Sequence, residues 1–134
     1  MTVVTTSRKP LPEVRSLARD MAFALGGRYF TRGKMGMSEL LAEDRTALVI
    51  SKQGRIFLLQ VYGDDTPVAT VSLSGFSVEY REGTIRRGLY VADRPVFDDL
   101  KDHIAVSHAE DLPEHTIEFD GTQRKHYILT LTEP

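Results

Sequence analysis

Leu11, Val14, Leu17, Ala18, Met21, Ala22 and Leu25 recur at helical spacing and define one apolar stripe. Short stretches with strand character lie on both sides of it. Residues 2–5 (Thr-Val-Val-Thr) are β-branched throughout, and residues 28–31 (Arg-Tyr-Phe-Thr) carry two aromatics. A strand, an amphipathic helix and a second strand over some thirty residues specify a crossover unit, with its strands parallel and its helix laid on the sheet. Pro12 fits the first helical turn, where its missing N–H costs nothing. Gly26-Gly27 supplies the stop. Arg15, Ser16, Arg19 and Asp20 fall on the opposite, polar face.

The rest of the chain is strand-rich. Strands are expected at residues 47–50, 55–62, 68–73, 76–80 and 89–91, with a turn at Gln53-Gly54 and a bend at Gly75. Ser38 caps a short helix over 39–44. Asp93-Arg94-Pro95 opens another, with Val96, Phe97, Leu100 and Ile104 on one face. Residues 107–114 read as a polar loop, and 116–119 with 126–132 as a closing hairpin. The fold class is therefore α/β, in the α+β sense: a mixed sheet with packed helices. At 134 residues the chain is expected to form a single domain over 1–134.

The formal net charge of −2 argues against a nucleic-acid binder until its distribution is read. Residues 1–34 carry seven cations against two anions, a net of +5, and the other hundred carry ten against 17, a net of −7. Such asymmetry points to a polyanion partner for the basic segment. A transit peptide has similar composition, but this segment supplies two strands and a helix to the core, so a structural role is expected. No apolar run approaches the ~18–20 residues that span a bilayer, and residues 1–10 lack a signal-peptide core. The absence of cysteine excludes disulfides, thiolate metal sites and a cysteine nucleophile, and it fits a reducing compartment. A cytoplasmic location is expected.

Two basic motifs punctuate the crossover unit: Thr5-Thr6-Ser7-Arg8-Lys9-Pro10 after the first strand and Arg32-Gly33-Lys34-Met35 after the second. With the helix and the aromatic strand between them, they resemble the Brix-domain family of ribosome-biogenesis proteins in its small, archaeal, single-domain form. The motifs cover about the first 40 residues. The resemblance implies a fold like the anticodon-binding domain of class II aminoacyl-tRNA synthetases, in two related halves. It further implies binding of rRNA or pre-rRNA during subunit assembly and rRNA processing, without catalysis. Ribosomal proteins or assembly factors are expected as further partners, and neither a cofactor nor a membrane is.

The chemistry agrees with an RNA contact. In a strand–helix–strand unit both loops leave the carboxyl edge of parallel strands, the usual ligand edge. Ser7, Arg8, Lys9, Arg15, Arg32, Gly33 and Lys34 are thus expected to form one nucleic-acid-binding patch, with Gly33 letting the backbone approach a phosphate. Four to six phosphate contacts give a log K against log salt slope of roughly −3 to −5. Thr6 and Ser7 either contact phosphate or cap the helix. Arg19 and Arg28 read as solvated charges. Tyr29 and Phe30 read as sheet residues rather than base-stacking platforms.

Enzyme readings find little support. His103, His108, His115 and His126 lack helical metal-site spacing, and Asp98, Asp99 and Asp102 read as a solvated helix face. No phosphate loop, nucleophile elbow or dinucleotide fingerprint occurs. The alternative function is a protein-interaction module whose acidic C-terminal part binds a basic ribosomal or assembly protein.

Overall fold

A computed structural model describes residues 2–31, 46–63 and 66–132. β1 (Thr2–Thr6) leads into α1 (Pro12–Leu25), which returns to β2 (Arg28–Tyr29). Then follow β3 (Thr46–Gln53), β4 (Ile56–Tyr62), β5 (Pro67–Tyr80) and β6 (Leu89–Val91). α2 (Arg94–Leu100), β7 (Val106–His108), β8 (Thr116–Asp120) and β9 (Lys125–Leu131) complete the order. The helix expected over 39–44 lies outside the described residues.

Among the described residues the strands form one mixed sheet in the order β2-β1-β3-β4-β5-β9-β8-β6-β7. β1 is parallel to both β2 and β3, as a crossover through α1 requires. β6 and β7 are parallel at the far edge and joined through α2. All the pairs between are antiparallel. Each outer edge of the sheet therefore carries a strand–helix–strand unit.

α1 forms where its stripe predicts. Val14, Leu17, Ala18, Met21, Ala22 and Ala24 are buried on the sheet. Gly26 ends the helix in the left-handed region (φ 68°), its N–H meeting the carbonyl of Phe23, while Gly27 N–H meets that of Ala22. The apolar cluster runs without interruption from Val4, Leu17 and Leu48 to Leu89, Ile117 and Leu129. Phe119 and Tyr127 stack within it at 4.7 Å between ring centroids.

Several expectations need correction. The strands expected at 68–73 and 76–80 are one 14-residue strand, β5. Gly75 marks a register shift beside Leu73 and does not end the strand. β5 is long because it pairs with different neighbours along its length, β4 as far as Leu73 and β9 from Leu73 onward. The polar loop at 107–114 begins with the end of β7, whose backbone finds partners on β6 despite its polar sequence. Ile104 is buried, but it lies beyond the end of α2, as does Asp102. Asp20, placed on the polar face of α1, is 2% exposed because the β8–β9 turn packs over it.

Candidate nucleic-acid interface

Ladder bonds set the position of the first basic motif. Thr6 pairs with Ile50, and Ser7 N–H extends the ladder by donating to the Ile50 carbonyl (3.1 Å). Phe30 N–H donates to the Val4 carbonyl (3.0 Å), and Thr5 Oγ1 donates to the Phe30 carbonyl (2.6 Å). The ends of β1, β2 and β3 thus lie side by side at one end of the sheet. Past Ser7 the chain bends through Arg8 and Lys9. Lys9 adopts a left-handed backbone (φ 54°), an uncommon conformation for a residue with a side chain, before Pro10 and Leu11 lead into α1.

Ser7, Arg8, Lys9, Pro10 and Leu11 form one wall of an open cleft of about 370 Å³, and Lys52 and Gly54 form the other. Lys52 is held by Glu13 in the first turn of α1 (3.6 Å) and lies 5.4 Å from the Phe57 ring centroid. Arg55 is in the same β3–β4 turn as Gly54 and is exposed. Leu11 begins α1 without a side-chain cap, so the positive end of the helix dipole opens beside the cleft. Neither Thr6 nor Ser7 caps it, since Thr6 Oγ1 donates to the Ser7 carbonyl (2.9 Å). An anion in this cleft meets cationic side chains at the positive end of the α1 dipole.

Ser7, Arg8 and Lys9 are thus brought together in the cleft. Arg15 is exposed in the first turns of α1, at the same end of the molecule, and does not line the cleft. Arg32, Gly33 and Lys34 lie outside the described residues. Lys52 and Gly54 were missed as site residues. Their turn is visible in the sequence, but their place beside Arg8 depends on the parallel pairing of β1 with β3, which carries no local signal. Arg19 and Arg28 do more than meet solvent. Their guanidinium groups sit over Tyr29 (5.5 Å) and Phe30 (5.1 Å), consistent with those aromatics being sheet residues.

The second basic grouping, in the later part of the chain, is tied into the fold. Arg81 donates to the carbonyls of Gly121 (3.1 Å) and Lys125 (2.8 Å). Arg86 stacks on Tyr90 (3.7 Å), and Arg87 on Phe23 (4.2 Å). Nearby, His126 lies between two carboxylates, with Nδ1 2.6 Å from Asp120 and Nε2 2.7 Å from Glu118. Burial pulls its pKa down, but the hydrogen bonds and charges of the two carboxylates outweigh that and raise it above the ordinary histidine value.

No family model matches the chain. Three curated archaeal proteins, each described as a "Probable Brix domain-containing ribosomal biogenesis protein", do. The one from Aeropyrum pernix is 32% identical over 83 residues, 57% of this chain and 46% of the relative. That from Methanosarcina barkeri is 46% identical over 52 residues, 37% of this chain and 33% of the relative. That from Methanothermobacter thermautotrophicus is 39% identical over 54 residues, covering 39% and 35%. The chain thus matches less than half the length of each curated relative. Solved structures extend the likeness in fold. Mil, an archaeal Imp4-like protein, superposes with a TM-score of 0.65 at 19% identity, over 98% of this chain and 97% of its own. A probable ribosomal biogenesis protein from Aeropyrum pernix K1 gives 0.60 at 22%, over 99% and 96%.

Proposed function

Since this chain is a relative of the archaeal Brix domain-containing ribosomal biogenesis proteins, we propose that it is a non-catalytic RNA-binding factor of ribosomal subunit assembly. It acts as one Brix-like domain on rRNA or pre-rRNA, among ribosomal proteins and assembly factors in the cytoplasm. The observation that carries this reading is the basic cleft at the open start of α1, formed by Ser7, Arg8 and Lys9 with Lys52 opposite. Arg15 and Arg55 extend the surface from the same end, and the proposed patch also includes Arg32, Gly33 and Lys34, which lie outside the described residues. Backbone phosphates are the recognised group, because the described residues of the patch offer cations and no exposed aromatic platform.

The finer fold assignment belongs to the same reading. β1-α1-β2 with β3 and β4, and β6-α2-β7 with β8 and β9, are two related halves meeting at β5, on the plan of the anticodon-binding domain of class II aminoacyl-tRNA synthetases. The parallel ends of the sheet support this. The halves differ in that β1 is parallel to β3 whereas β6 is antiparallel to β8. The basic cleft belongs to the first half alone.

The test is crosslinking to RNA in cells, followed by sequencing of the bound RNA. The expected result is enrichment of discrete rRNA segments, lost with Arg8→Glu/Lys9→Glu and retained with Arg8→Lys/Lys9→Arg. Uniform background without rRNA peaks would overturn the proposal.

A further inference from the structure

The two acids of α1 are both drawn away from its outer face. Glu13 pairs with Lys52 (3.6 Å), and Asp20 is buried under the β8–β9 turn. What remains outside is Arg15 and Arg19, both exposed, with the half-buried Phe23. Spaced by four residues, these three share one face of the helix, each about 6 Å further along the axis. Like charges at that spacing destabilise a helix. Among the described residues, no carboxylate forms an ion pair with either arginine.

A third arginine joins this line from a distant part of the chain. Arg87, in the loop after β5, lays its guanidinium over the Phe23 ring, 4.2 Å from the centroid, and donates from Nη1 to the Phe23 carbonyl (3.4 Å). The backbone around it is fixed. The Arg87 carbonyl accepts the Tyr90 hydroxyl (2.8 Å), and the Arg86 N–H donates to Asp120 (2.8 Å). Arg87 is exposed, so the side of its guanidinium away from Phe23 is left to solvent. It too has no ion pair among the described residues, although Glu82 stands exposed in the same loop. The fold thus gathers three cations along one helix face and supplies no counter-charge.

We propose that this face of α1 carries a single RNA strand onward from the cleft, with phosphates on Arg15 and Arg19 and a base stacked on the guanidinium of Arg87. The inference rests on the RNA reading of the cleft and adds to it a contact surface that uses the loop after β5. Arg15, in the first turns of α1, links the two. The chemistry favours RNA over an acidic protein. A carboxylate needs only the charge, whereas a guanidinium backed by an aromatic ring offers a flat cationic face that suits a base. The strand is single because the bases of a duplex are already paired and stacked.

The probe is a fluorescein-labelled oligouridylate of about 12 nucleotides, titrated with the full chain and followed by anisotropy. An abasic strand of equal length is titrated beside it. Arg87→Lys keeps the charge and loses the plane. It should weaken the oligouridylate at least ~5-fold and leave the abasic strand unchanged. Arg19→Gln removes a phosphate contact. It should weaken both strands alike and make the log K against log salt slope shallower by about 0.7. Melting temperatures check that both variants fold, and Arg19→Gln, outside the loop, decides alone if Arg87→Lys does not. An oligouridylate that the wild type does not bind, or binding that neither variant alters, would overturn this proposal. Whether an rRNA fragment still depends on Arg8 and Lys9 then decides the cleft reading separately. A polyglutamate of equal charge that binds as tightly and responds equally to both variants would also overturn it, since the partner would then be an acidic protein.

Discussion

Asp20 is a carboxylate almost wholly removed from water, and four groups from one distant hairpin account for its presence there. It accepts the backbone N–H (3.1 Å) and hydroxyl (2.6 Å) of Thr122 and the hydroxyl of Tyr127, and Lys125 Nζ lies 3.8 Å away. The Tyr127 hydroxyl is held well above its ordinary pKa, by burial first and then by Asp20. Asp20→Ala strands these donors, and urea unfolding should show a loss of about 3–5 kcal/mol. Tyr127→Phe, which removes one hydrogen bond and leaves three partners on Asp20, should cost only about 1–2 kcal/mol. His126 makes the complementary, pH-dependent prediction. Only its protonated form donates to both Asp120 and Glu118, and Asp120 also accepts the Arg86 N–H (2.8 Å). Its folded pKa is raised, so the stabilisation is complete below the unfolded value of about 6.5 and is lost as pH rises through the folded value. Melting temperature should therefore fall as pH climbs through that window, and His126→Gln should flatten the fall. A wild-type curve that rises over the same window would contradict the assignment.

At the scale of elements, the junction of α1 with β2 shows what is local and what is not. Gly26 is required by its positive φ, and Gly26→Ala should cost about 1 kcal/mol. Gly27 is required by crowding, because a Cβ there would lie 2.1 Å from the Thr2 carbonyl oxygen. Gly27→Ala forces β1 to move and should cost more than Gly26→Ala, about 3 kcal/mol in the same unfolding measurement. The stop signal was legible in the sequence as a glycine pair. The distinct reasons for each glycine were not, since one of them depends on a strand 25 residues upstream. The same division explains the other outcomes. The stripe of α1, its proline start and the β8–β9 hairpin follow from spacing and turn residues within a few positions. β5 was read as two strands because Gly75 is a turn signal in isolation, and only pairing to β4 and β9 carries the strand through it. β7 was missed because its three residues, Val106–His108, are too short a run to show a pattern, and its partner lies across α2.

For the molecule as a whole, the division of charge along the chain becomes a division in space. The basic N-terminal quarter gathers Ser7, Arg8 and Lys9 at one end of the sheet, and β3 adds Lys52 to them. The acidic remainder lines a separate groove beside β5 and α2 with Asp93 and Asp99. The first motif of the site was legible because its residues are contiguous. Lys52 was not, because it is brought in by a parallel strand more than forty residues away. On this account the protein meets phosphate at the cleft formed by its first half. The central claim is that the cleft binds RNA through phosphate, and the salt dependence of affinity tests it most directly. Binding of an rRNA fragment by the full chain, followed by anisotropy between ~50 and ~200 mM salt, should give a log K against log salt slope of roughly −3 to −5. Arg8→Glu/Lys9→Glu should weaken binding by at least ~10-fold and make the slope shallower by about 2, with melting temperature nearly unchanged. An affinity and slope that survive this double reversal would contradict the account.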